Sequence, residues 1–155
     1  MRMLSLVVSV VVPLCVYLVA EKLLGSHPKE RWLLLTACSL FFISYFLPSP
    51  LVHGQHTQYM THFVGGGVFS GFLWLYIVRV KGWKLSLLQE VASLFVLVCT
   101  LGVANELFEV VLYWSGHMPA GVSDTSWDLV ANTTGALTWF VAYKGGQWLR
   151  SGLTK

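Results

Sequence analysis

The sequence predicts an all-α integral membrane protein: about five transmembrane helices in one bundle, with the N-terminus outside and the C-terminus cytoplasmic. Three observations predict it. Of 155 residues, 55% are hydrophobic and 11% charged, with a mean hydropathy of +0.67, whereas a soluble domain carries roughly 25% charged residues. The apolar residues fall into five runs parted by short polar stretches. Lys and Arg gather at alternate junctions between those runs. With no linker-like stretch and no long internal repeat, residues 1–155 read as a single domain.

The first run, Met3 to Leu24, is longer than the apolar core of a secretory signal. Glu21-Lys22 follows where a small-residue cleavage site would be needed, so a retained membrane helix is expected, kinked near Pro13. Gly25-Ser26-His27-Pro28 ends it. The second helix is expected from Trp32 to about Phe46, extending at most to Val52, against Pro48 and Pro50. The stretch His53 to Tyr59 is polar but carries no formal charge.

The third helix is expected from Tyr59 to Val80. Its Gly67 and Gly71 form a small-xxx-small face that lets helices approach closely. The fourth run, Leu85 to Trp114, has 30 residues. At ~1.5 Å per residue it is about 45 Å long against a hydrocarbon core of about 30 Å, so it must tilt, protrude or break. Ser115 to Ser126 reads as a loop, and the fifth helix as about Thr125 to Leu149.

The basic residues set the orientation. Lys22, Lys29 and Arg31 follow helix one, Arg79, Lys81 and Lys84 follow helix three, and Lys144, Arg150 and Lys155 lie at the C-terminal end, with Arg2 alone on the other side. The positive-inside rule then places the N-terminus outside. Because these residues flank apolar runs and form no stripe, the net charge of +3 points to the lipid bilayer and not to nucleic acid. Cys15, Cys38 and Cys99 all lie in apolar runs and read as packing thiols.

Against this background the stretch from Asn105 to Asn132 is unusual. It concentrates Asn105, Glu106, Glu109, Asp124, Asp128 and Asn132. Glu106 and Glu109 are three apart, and Asp124, Asp128 and Asn132 are spaced by four, so each set shares a helix face. The expected topology brings both sets to the extracytoplasmic side, together with His62 and the loop histidines His53 and His56. Ionisable groups in apolar segments are expensive and usually face a bundle interior or a watery cavity.

Each residue also has a plainer explanation. Asp124 suits the cap of helix five, and Thr125-x-x-Asp128 fits a capping box. Glu106 and Glu109 can snorkel to the interface, and a single histidine is an ordinary interface residue. Capping does not account for Asn132, two turns into the helix, where a buried amide needs a partner. Two carboxylates one turn apart repel unless a proton, cation or base sits between them. The expected site is therefore one coupled group. Glu106, Glu109, Asp128 and His62 are its catalytic candidates, and the same four with Asp124 are the candidate ligands of a divalent metal ion. Asn105 and Asn132 support them. The oxygen-rich set suits a hard or borderline cation, or a carboxylate–His acid–base pair.

His62-Phe63 opening a glycine-containing helix, Asn105-Glu106-x-x-Glu109 late in the next, and Asp128-Leu129-Val130-Ala131-Asn132-Thr133-Thr134-Gly135-Ala136 together resemble the VanZ-like membrane proteins. Asp124-Thr125-Ser126-Trp127-Asp128 is closer to the related YjdF-like branch. The resemblance covers about residues 56–143. It implies a small polytopic protein of a bacterial-type cytoplasmic membrane, with a cell-envelope role and no defined reaction; one member of the family is linked to low-level teicoplanin resistance. Two positions depart from the family pattern. Glu109 stands where Gln is common, and Gly121-Val122-Ser123 stands where Arg often precedes the Asp-x-x-x-Asn motif, so an Arg-anchored anionic ligand is not implied.

Three functions are compatible with these residues: a metal-assisted hydrolase or transferase acting on a lipid-linked or envelope substrate, a small-molecule or ion-binding membrane protein, and a non-enzymatic envelope or resistance factor. The orientation itself is testable. With the native cysteines replaced, Gln55→Cys and Ala120→Cys should react with an impermeant thiol reagent in intact cells, and Lys81→Cys only after lysis. Labelling of Lys81→Cys from outside would reverse the topology.

Overall fold

The computed structural model describes residues 3–25, 27–52, 55–116 and 125–153. They form five helices: α1 (Met3–Leu24), α2 (Arg31–Ser44), α3 (Thr61–Lys81), α4 (Leu87–Trp114) and α5 (Thr125–Leu153). Three of them, α1 from Leu6, α3 and α4, are long and apolar enough to cross a membrane. Cross-contacts give the directions. Arg31 pairs with Glu21, and the Cys38 thiol meets the Pro13 carbonyl, so α1 and α2 are antiparallel. Gly65 packs on Ser44, and Phe41 on Phe69, so α3 runs antiparallel to α2. Trp74 of α3 donates its indole N–H to Ser93 of α4 at 2.9 Å.

Helix α1 runs through Pro13 as the single helix expected, and α4 is unbroken over 28 residues, which leaves tilting or protrusion of the three alternatives. Other boundaries differ from the sequence expectation. Helix α2 stops at Ser44, short of Phe46 and well short of Val52. Tyr45, Phe46 and Leu47 continue it only as turns, each amide bonding three residues back. The polar stretch that follows contains a minimal antiparallel ladder, Leu51–Val52 against Gln55–His56. Helix α5 runs on to Leu153, four residues past the expected Leu149.

The helix ends follow their residues. Ser86 and Gln89 form a reciprocal capping box at the start of α4. Gly82, at φ 63°, ends α3 in the left-handed conformation that disfavours other residues. Within α5 the hydroxyls of Thr133, Thr134 and Thr138 each donate to a carbonyl four residues back at 2.8 Å, which hides their polarity inside the helix.

Helix α3 is the hub, packed against all four others. Its first half, Thr61–Val68, is π-helical and contains Gly65, Gly66 and Gly67. Each glycine admits a different neighbour. A Cβ at Gly65 would strike Ser44 of α2, one at Gly66 would strike the Asn132 side chain, and one at Gly67 would lie 2.7 Å from both Ala136 N and Gly135 Cα of α5. Gly135 reciprocates, since a Cβ there would collide with the Phe63 carbonyl. Helices α3 and α5 are thus parallel and in backbone contact. Deeper in the bundle, Trp74, Trp139 and Phe140 stack edge to face. Lys144 of α5 forms an ion pair with Glu90 of α4 and lies over the Phe140 and Tyr143 rings.

A methyl group at the α3–α5 contact has nowhere to go. Gly135→Ala should lower stability by on the order of 1–3 kcal/mol through overpacking. Gly145→Ala, on the same helix with nothing within 4 Å of its Cβ position, should be neutral or stabilising. Thermal unfolding in one detergent compares the two; equal melting temperatures would mean that the helices are not packed this closely.

Candidate functional site

The glycine contact fixes the register of α3 against α5, and that register sets His62 on Asp128. Asp128 lies in the first turn of α5. Its Oδ2 is 3.4 Å from His62 Nε2, and the side chains are only 4% and 9% exposed. So Asp128 does more than finish a helix cap. Glu106 approaches from α4, and the ligand atoms of His62, Glu106 and Asp128 lie within 4.8 Å of one another. Glu106 Oε1 is buried with no hydrogen-bond partner among the described residues. Three helices distant in sequence therefore each bring one ionisable group to one point.

Asn132 lies one turn beyond Asp128 on α5, 3% exposed. It sits in a notch between two glycines. Its side chain fills the space a Cβ of Gly66 would need, and its Nδ2 would be 3.1 Å from a Cβ at Gly102 of α4. Its Oδ1 has no hydrogen-bond donor among the described residues.

Glu109 takes a different place from its neighbour. It is absent from the three-residue cluster, and the Asn105 side-chain amide donates to its Oε1 at 2.8 Å. A separation of three residues rotates a side chain by about 60° around a helix. That is enough to send Glu106 to the His62–Asp128 pair and Glu109 towards a neighbouring cavity. Asp124, the fifth expected ligand, and His53 lie outside the described residues.

The cavity has a volume of about 270 Å³ and lies beside the cluster, with His62, Asn105, Glu109 and Asn132 in its wall. His62 thus belongs to both cluster and cavity. No known protein family, curated protein or solved structure matches the chain.

Bonds of about 2.0–2.2 Å, as for Zn²⁺ or Mg²⁺, put ligand atoms at most roughly 4.0–4.4 Å apart, and Ca²⁺ spans about 4.6–5.2 Å. The three ligand atoms lie within 4.8 Å of one another, with His62 Nε2 and Asp128 Oδ2 3.4 Å apart, a spacing open to divalent ions of either size. One imidazole with two carboxylates favours borderline ions over purely hard ones.

Four contributors were not singled out from sequence. Tyr45, Gln58 and Ser70 line the cavity, and Tyr59 shares a hydroxyl contact with Thr134 of α5 at 3.3 Å. Tyr59 and Gln58 stand within four residues of His62, so proximity alone offered a signal for them. Nothing in the sequence marks Ser70.

Proposed function

We propose that the chain is a VanZ-like integral protein of a bacterial-type cytoplasmic membrane, crossing it five times, and that it is a metal-assisted hydrolase or transferase acting on a lipid-linked or envelope substrate. The observation that carries the chemistry is the meeting of His62, Glu106 and Asp128 within 4.8 Å, each from a different helix. Two carboxylates and one imidazole in a mostly apolar bundle carry uncompensated negative charge unless a proton or cation joins them. A divalent cation held by these three residues would polarise the bond under attack. Glu109, oriented by Asn105 and facing the cavity, is then placed to act as general base towards a bound substrate.

The membrane assignment is supported by the outer surface. Leu18, Val19, Leu88, Val96, Val111 and Val141 are all more than half exposed, which suits contact with lipid. Helix α2 with its three turn residues spans 31–47, within the roughly 17–25 residues that a crossing needs. Helix α5 buries Asp128, Ala131, Asn132, Gly135, Ala136, Trp139 and Phe140 along one stripe, and its threonines bond within the helix. Polar composition therefore need not keep α5 out of a bilayer.

A second reading, a non-enzymatic envelope or resistance factor, draws on the His62–Asp128 contact, which alone is sufficient to tie α3 to α5. The two make opposite predictions for the purified protein. In the metal-assisted reading, Mn²⁺, Zn²⁺ or Ca²⁺ raises the melting temperature of the wild type, and chelation reverses the rise. Glu106→Gln loses that response and its activity while folding normally, and Asp128→Asn behaves alike. If both variants retain full function and only melt earlier, the residues are structural and the catalytic reading ends.

A further inference from the structure

The cavity beside the cluster has an ordered polarity. Glu109 and Asn105 lie at the end where α4 finishes, and Gln58 and His62 at the end where α3 begins. Those two ends coincide, because α3 and α4 are antiparallel. In the other direction the wall becomes hydrocarbon: Val8, Val12 and Val16 of α1 face Val98 and Leu101 of α4. Eight residues along α1 amount to about 12 Å of helix axis, so the space is elongated.

It also opens sideways. Helix α1 packs on α2 and α3, whereas α4 packs on α3 and α5, and the cavity lies where α1 and α4 face each other. Ala104 and Phe108 line the cavity and are exposed on the outer surface, Phe108 by 46%. The mouth is therefore on the apolar flank of the bundle and not only at its polar end.

The polar end is rich in acceptors. Glu109 and Asn132 both line it, and Asn132, nine-tenths buried and more, packs its side-chain oxygen against Gly66 with no donor among the described residues. Cavities that hold drug-sized ligands run to roughly 300–1,000 Å³. At about 270 Å³ this one suits a single chain and is too small for a two-chain lipid.

We propose that this cavity takes a single-chain amphiphile with a hydroxyl-bearing head group, entering from the bilayer between α1 and α4. The head lies beside Glu109, Asn132 and His62, donating to the Glu109 carboxylate, and the chain runs along the valines of α1. This deepens the proposed function by naming the class of substrate, and it rests on that membrane reading.

The test uses the full chain in phosphatidylcholine vesicles with EDTA present, which keeps any cation out of the result. The probe is a monoacylglycerol whose 16-carbon chain carries a diazirine, and labelled residues are mapped after irradiation. Labelling should concentrate on Val12, Val98 and Leu101, and fall at least tenfold with excess unlabelled monoacylglycerol. The same chain on a phosphate head should label these positions several-fold less, because it meets Glu109. Ala104→Trp closes the mouth from an exposed position and should abolish the competable labelling without lowering the melting temperature.

Labelling spread over Leu88, Phe95 and Val96 without competition overturns the proposal. So does undiminished labelling in a folded Ala104→Trp, or equal labelling by the phosphate-headed probe. Glu106→Gln separates the two readings. If it labels like the wild type and metal fails to stabilise the wild type, only the metal centre is lost; if metal stabilises the wild type and labelling is diffuse, only the chamber is lost.

Discussion

The backbone contact between α3 and α5 is the constraint on which the remaining geometry depends. Gly67 and Gly135 each occupy the space that the other's side chain would need. Packing of this kind is what holds helices together in lipid, where burial of apolar surface supplies no net drive. It permits one register only. In that register His62 falls on Asp128 and the Asn132 amide falls on Gly66. A slide by one turn, about 5.4 Å, would separate all three contacts at once.

The π-helical segment belongs to the same constraint. A π turn holds one more residue than an α turn, which rotates the side chains that follow relative to those before. Here it covers Thr61–Val68, so it carries His62 and precedes the regular helix with Trp74 and Tyr76. Gly65, Gly66 and Gly67 consequently present α2, the Asn132 side chain and the α5 backbone with a bare surface in turn. An unbroken α-helix would place three successive residues about 100° apart and could not shift that pattern relative to the aromatic cluster below.

Much of this fold is legible in the sequence, and the limits have physical causes. Hydropathy locates all five helices, and glycine or serine punctuation places the ends of α3 and α4 within a few residues. The end of α2 escapes because Tyr45, Phe46 and Leu47 are as apolar as the helix itself, and only their three-residue hydrogen bonds mark the change. The site is half legible. Spacing puts Asp128 and Asn132 on one face of α5, and the topology brings His62 and Glu106 to the same end. Spacing also groups Glu109 with Glu106; a rotation of about 60° separates them, and Asn105, four residues from Glu109, donates to it. The pairing of Lys144 with Glu90 is invisible because the two are far apart in the chain.

The distribution of satisfied and unsatisfied polar groups separates the two ends of the bundle. At one end Glu90 has Lys144, and Glu21 has Arg31, so each carboxylate meets a cation from another helix. At the other end there is no Lys or Arg among the cavity-lining residues, and two carboxylates, Glu106 and Asp128, meet a single imidazole, with Glu109 held by the Asn105 amide nearby. One histidine can neutralise one carboxylate at most. If the His62–Asp128 pair existed only to hold α3 against α5, Glu106 beside it would weaken that pair, since a second negative charge a few ångströms away competes for the same imidazolium. A structural role therefore predicts an amide or an apolar residue at position 106. A glutamate there fits the proposed site, in which a cation from outside the chain would complete the charge balance.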